Sequence, residues 1–108
     1  MAEWVDICEA QAIPPGHAAR IEVGERPIAI FNVEGEFHCL DDTCSHALAS
    51  LSEGELHGAD GTIECPLHGS QFDLRSGEPR SFPAVEPVLV HQVEVREGEL
   101  WVSLNEAV

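Results

Sequence analysis

Two short segments carry metal-binding residue types in a mixed order: Cys44-Ser45-His46 and Cys65-Pro66-Leu67-His68, with eighteen residues (47–64) between them. Each offers one thiolate and one imidazole. A loop built this way can put its cysteine on one iron of a two-iron, two-sulfide cluster and its histidine on the other. Two such loops then supply two thiolates to one iron and two imidazoles to the second. Tetrahedral zinc is the rival for a Cys₂His₂ set. Zinc fingers, however, pair Cys with Cys and His with His, whereas both pairs here are mixed, which favours the iron–sulfur reading. Gly69 directly follows His68, where backbone must come close to a cluster, and Pro66 stiffens the second pair.

The remaining candidates carry less. His17, His38, His57 and His91 have no cysteine at ligand spacing. His57 is expected to be a surface-loop histidine, and His38 and His91 to be half-buried or exposed on strands. Cys8 and Cys39 are expected to behave as buried small hydrophobes. Trp4 and Trp101 should pack at the core or the sheet edge. Asp41, Asp42, Glu53, Glu55, Asp60 and Glu64 crowd the middle of the chain, and basic partners are expected to dock there.

The elements that must position the two pairs are strands. Ile21–Val23, Ile28–Val33, Glu36–Leu40, Val88–Val95 and Leu100–Leu104 read as strands, with period two as the guiding signal. Glu34-Gly35 and Glu97-Gly98 stand between such runs as hairpin turns. No segment has sustained helical periodicity with a clean cap. The expected class is all-β, a small sandwich or partly open barrel. Between 41 and 80 the strands shorten and turn residues gather, including Gly54, Gly58, Gly61, Gly69, Gly77 and Pro66. This predicts one domain over 1–108, with a base from 1–40 and 81–108 and a loop-rich, metal-binding insert at 41–80.

Composition narrows the function. Twenty acidic residues face five basic ones, all arginine, for a net charge of −15. Phosphate backbones would be repelled, so nucleic acid is not an expected partner; a basic protein surface would be attracted. The sequence has no apolar run of membrane-spanning length. Its first residues show neither a basic start nor an apolar stretch, so a cytoplasmic location is expected. There is no Gly-x-Gly-x-x-Gly run for a dinucleotide, no evident His-His-carboxylate set for a mononuclear iron, and too little chain for an oxygenase domain.

Through Cys44-Ser45-His46 and Cys65-Pro66-Leu67-His68-Gly69-Ser70, followed by Gln71-Phe72-Asp73, the sequence resembles a Rieske-type ferredoxin. It is similar over essentially its whole length to the soluble ferredoxins of bacterial aromatic-ring dioxygenase systems. The resemblance implies a Rieske-like β-sandwich base with an inserted cluster-binding subdomain and one [2Fe–2S] cluster. Cys44 and Cys65 would bind the buried iron, and His46 and His68 the outer one. It also implies a monomeric one-electron carrier, not itself an enzyme, between a flavin-dependent NAD(P)H reductase and a terminal oxygenase. Ser81-Phe82-Pro83-Ala84 would be the proline-containing loop covering one side of the cluster. The alternatives are a small Rieske-like subunit of an assimilatory nitrite reductase and a zinc-stapled interaction domain. Ala49 and Leu67 stand where respiratory Rieske proteins carry a disulfide, and Phe72 where those proteins have a tyrosine. With fewer hydrogen bonds to sulfur, the expected potential lies at the low end of the Rieske range, which starts at about −150 mV.

Overall fold

A computed structural model describes residues 3–45, 49–67, 69–82, 84 and 86–105. The chain is nearly all β, as expected, and barrel-like. Strands β1 (Trp4–Glu9), β2 (Ala18–Val23), β3 (Arg26–Val33) and β4 (Glu36–Asp41) precede the middle of the chain. Three short strands follow: β5 (Glu55–His57), β6 (Thr62–Glu64) and β7 (Gln71–Asp73). Strands β8 (Val90–Arg96) and β9 (Glu99–Ser103) close the chain. Six strands form one sheet in the order β1-β9-β8-β4-β3-β2, and β5-β6-β7 form a second. Every pairing is antiparallel.

Local chemistry explains the hairpins. Glu34 and Gly35 (φ 51° and 92°), and Glu97 and Gly98 (φ 50° and 80°), all take left-handed backbone conformations. Two-residue turns with positive φ at both positions match the twist of the strands they join. The β3–β4 hairpin is long, in register from Ile28↔Asp41 to Val33↔Glu36. By contrast, β4 pairs in register with β8 at two positions, Cys39↔His91 and Leu40↔Val90.

The side chains of β3 settle how the two sheets share the interior. Residues Ile28 to Phe31 are all fully buried. Ile28 and Ile30 join Ile13, Cys39, Leu100 and Val102 in a core under the large sheet. Ala29 and Phe31, on the opposite face, join Leu40, Leu51, Ile63, Phe72 and Leu74 in a second core beneath the small sheet. Each large apolar side chain buried this way contributes about 1.5–3 kcal/mol. The apolar run in β3 therefore marks a strand covered on both sides.

Candidate metal centre

Two loops rise from the second core with the same construction. Loop 1 spans 44–49 between the bridged residues Thr43 and Ser50. Loop 2 spans 65–70 between Glu64 and Gln71, paired across β6 and β7. Each loop is closed by the amide of its first residue: Cys44 N–H donates to Ala49 O at 3.0 Å, and Cys65 N–H to Ser70 O at 2.7 Å. In loop 2, Gly69 turns with φ +73° and donates its N–H to Cys65 O at 3.0 Å. An L side chain there would be strained.

This construction buries both cysteines in the same core. Cys44 is 4% exposed and Cys65 1%, and both belong to the core lined by Leu51, Ile63 and Phe72. Neither forms a disulfide. His46 and His68 lie outside the described residues, as does Pro83 of the 81–84 segment. The donor set suits a Rieske-type cluster: two buried thiols at equivalent points of matched loops, with one histidine per loop two or three residues further on.

Arg80, Ser81, Ala84 and Glu86 brace both loops from a third part of the chain. Ser45 Oγ donates to Glu86 O at 2.6 Å. Ser70 Oγ, fully buried, accepts from Ala84 N–H at 2.9 Å, which leaves its own hydroxyl proton for a further acceptor. Ser81 Oγ accepts from Gln71 N–H at 2.9 Å, and Arg80 N–H donates to Gln71 O at 2.6 Å. Two apolar side chains of this end face solvent, Leu67 at 61% exposure and Phe82 at 81%. Phe72 is fully buried in the core and brings no hydroxyl to it.

Several polar residues have roles the sequence did not reveal. Asp42, one of the expected docking acids, is buried. Its carboxylate accepts from Ser52 N–H at 2.9 Å and from Arg20 Nε at 3.2 Å, and its carbonyl accepts from Leu51 N–H at 2.7 Å. It holds the mouth of loop 1. His91, expected to be at least partly exposed, is buried as well. Its Nδ1 accepts from Asn105 N–H at 3.0 Å, so Nε2 carries the proton and donates to Asp41 at 2.7 Å. His57 stands on β5 and not in a loop, between Glu64 (3.0 Å) and Glu55 (3.3 Å). The hydrogen bond with Glu64 is the main cause holding its pKa above the ordinary histidine value. His38 is half-buried, and burial pushes its pKa down against the pull of Glu36.

Of the other two cysteines, Cys39 is buried as expected, whereas Cys8 is only half-buried. Cys39 is buried in the first core, and burial pushes its thiol up to about 12. Cys8 packs against that core, its pKa also raised, first by burial and then by Glu99. Trp4 and Trp101 are half-buried, with the Arg96 guanidinium 4.7 Å and 5.4 Å from their ring centres.

Comparison with known proteins agrees with this arrangement. The model of the Rieske [2Fe-2S] domain matches residues 3–97. Ferredoxin CarAc of Metapseudomonas resinovorans is 44% identical over 101 residues, covering 93% of this chain and 92% of that protein. The 3-phenylpropionate/cinnamic acid dioxygenase ferredoxin subunit of Escherichia coli K12 is 43% identical over 100 residues, with the same coverage of 93% and 92%. A solved complex of reduced oxygenase and oxidised ferredoxin in carbazole 1,9a-dioxygenase contains a chain of TM-score 0.88 and 42% identity, with 97% of this chain and 96% of that one covered. With the domain match spanning residues 3–97 and two thiols buried on matched loops, the chain belongs to the Rieske [2Fe–2S] family and takes one such cluster as its cofactor.

Proposed function

We propose that this chain is the ferredoxin component of a multicomponent aromatic-ring dioxygenase. In this reading it is a cytoplasmic monomer. It accepts one electron from a flavin-dependent NAD(P)H reductase and delivers it to the Rieske centre of a terminal oxygenase. Cys44 and Cys65 hold one iron, and His46 and His68 the other, on an insert at 41–80 carried by a base from 1–40 and 81–108. The observation that supports this best is the pair of equally closed loops, each with a buried thiol at its first position, in a chain over 40% identical to dioxygenase ferredoxins.

The bound cluster supplies a one-electron couple, and the protein supplies its surroundings. The apolar core around Cys44 and Cys65 keeps water away from the thiolate side. Ser70, whose Oγ accepts from Ala84 N–H, keeps its own hydroxyl proton available to donate. Leu67 and Phe82 give the loop end an apolar contact surface, and the exposed Glu53, Glu55 and Asp60 attract a basic partner. Among the described residues no helix is long and apolar enough to cross a membrane.

Electron paramagnetic resonance of the purified protein before and after dithionite tests the reading. The expected result is a silent oxidised form that gains an anisotropic signal with average g below the free-electron value. Zinc in place of iron, with no signal on reduction, would overturn it. Electron delivery from a reductase to a Rieske oxygenase, followed with and without this protein, tests the partners.

A further inference from the structure

Strand β2 is an edge of the large sheet and lends no residue to either thiol loop. Its Arg20 nevertheless reaches the foot of loop 1. Arg20 stands opposite Ala29 in the β2–β3 ladder. On the far side of β3, Asp42 N–H donates to Pro27 O at 3.1 Å. Pro27 and Ala29 are two residues apart and so share a face. The Arg20 side chain therefore spans β3 at its small alanine, and its Nε donates to Asp42 Oδ2 at 3.2 Å.

Asp42 joins the two arms of loop 1. It lies two residues before Cys44, and its Oδ1 accepts from Ser52 N–H on the returning arm at 2.9 Å. The carboxylate is buried. The Arg20 guanidinium is half-exposed and turns its Nη2 to the exposed Glu22 at 3.1 Å. A buried carboxylate held by an amide alone would be an uncompensated charge, which is strongly unfavourable. Arg20 supplies the counter-charge. Among the described residues the other four arginines form their ion pairs elsewhere: Arg26 with Asp41, Arg75 with Glu36, Arg80 with Asp73, and Arg96 with Glu94.

This ion pair bears on electron uptake. Reduction places one more negative charge at the iron–sulfur centre. A carboxylate at the foot of loop 1 opposes that charge, and a cation on the carboxylate offsets the opposition. Asp42 and Cys44 are both buried, so salt screens this coupling less than it screens surface charges.

We propose that Arg20 is a positioning residue for electron transfer: acting through Asp42, it raises the potential at which this chain takes up its electron. The proposal rests on the assignment of Cys44 as a cluster ligand.

Spectroelectrochemical titration of the holoprotein tests the role. Arg20→Met keeps most of the stem and removes the charge, whereas Arg20→Lys keeps the charge. At the poise that half-reduces the wild type, Arg20→Met should show a reduced-to-oxidised ratio lower by on the order of threefold. Arg20→Lys should stay near the wild-type ratio. So should Arg96→Met, which removes an equal charge at the end of β8. The paramagnetic signal of each reduced variant should match the wild type, showing an unchanged ligand set, and far-UV circular dichroism confirms folding. If Arg20→Met does not fold, Arg20→Gln takes its place. Four results would overturn the proposal: an unchanged ratio in Arg20→Met, an equal fall in Arg20→Lys, an equal fall in Arg96→Met, or a folded Arg20→Met that cannot hold the cluster. Cys44→Ser separates this from the ligand assignment. If that variant keeps the cluster, the assignment fails and the proposal with it. If it is colourless, the arginine variants decide on Arg20 alone.

Discussion

Loops 1 and 2 share their length, their closing hydrogen bond and the burial of their first residue, yet they are supported differently. Loop 2 is the turn of a true hairpin, with β6 and β7 paired over three positions behind it. Loop 1 rests on a single bridge, Thr43↔Ser50. In place of a sheet it has Asp42, whose carboxylate and carbonyl gather Ser52, Leu51 and Arg20. Equivalent thiol placement thus comes from backbone pairing in one loop and largely from one buried side chain in the other. Loop 1 should be vulnerable at a point, and loop 2 through its turn and its strands.

The largest effect should erase the difference. Cys44→Ser and Cys65→Ser should each abolish the cluster's visible absorption and the reduced paramagnetic signal. A variant that keeps a Rieske-type spectrum would show that its thiol is not a ligand. Asp42→Ala should expose the asymmetry by leaving the Ser52 N–H unsatisfied. Its expected cost is about 2 kcal/mol in chemical denaturation, and hydrogen exchange should accelerate in peptides around Cys44 but not around Cys65. Gly69→Ala should do the reverse at a cost of about 1–2 kcal/mol, from forcing a side chain into the left-handed region, with faster exchange confined to loop 2.

The smallest effect concerns acid. The Asp73 carboxyl, on β7, is held below the ordinary carboxylate range, first by its hydrogen bond with Arg80 and then by the backbone amides of Arg75 and Ser76. Its folded pKa is lower than its unfolded one, so its stabilisation is complete above the ordinary value of 3.8 and fades as pH falls through the folded value. Stability measured against pH should therefore decline less steeply below that point in Asp73→Asn than in the wild type.

What could be read in advance followed the range of each signal. The mixed Cys/His pairs and the two Glu-Gly hairpins are local patterns, and local sequence contains them. The small sheet was hidden because its strands are three residues each, too short for a period to show against the glycines around them. Strand β1 is weakly marked in the sequence for a related reason. Its sequence Trp-Val-Asp-Ile-Cys-Glu has no clean alternation, and its pairing with β9 carries a register irregularity between Asp6 and Cys8. Asp42 and His91 look like surface residues because burial of a polar side chain depends on partners far along the chain. For His91 those partners are Asp41, 50 residues away, and Asn105.

The two-sided strand β3 bears on portability. Neighbouring residues Ile30 and Phe31 serve different compartments, so the same eight-residue strand is the floor of one and the roof of the other. Cutting out the segment that carries both thiols would strip the cover from Ala29, Phe31 and Leu40 and leave a bare apolar wall. The excised piece would lose the surface its own Ile63 and Phe72 rest on. Transplanting the electron-carrying end into another scaffold therefore means transplanting β3 and β4 with it.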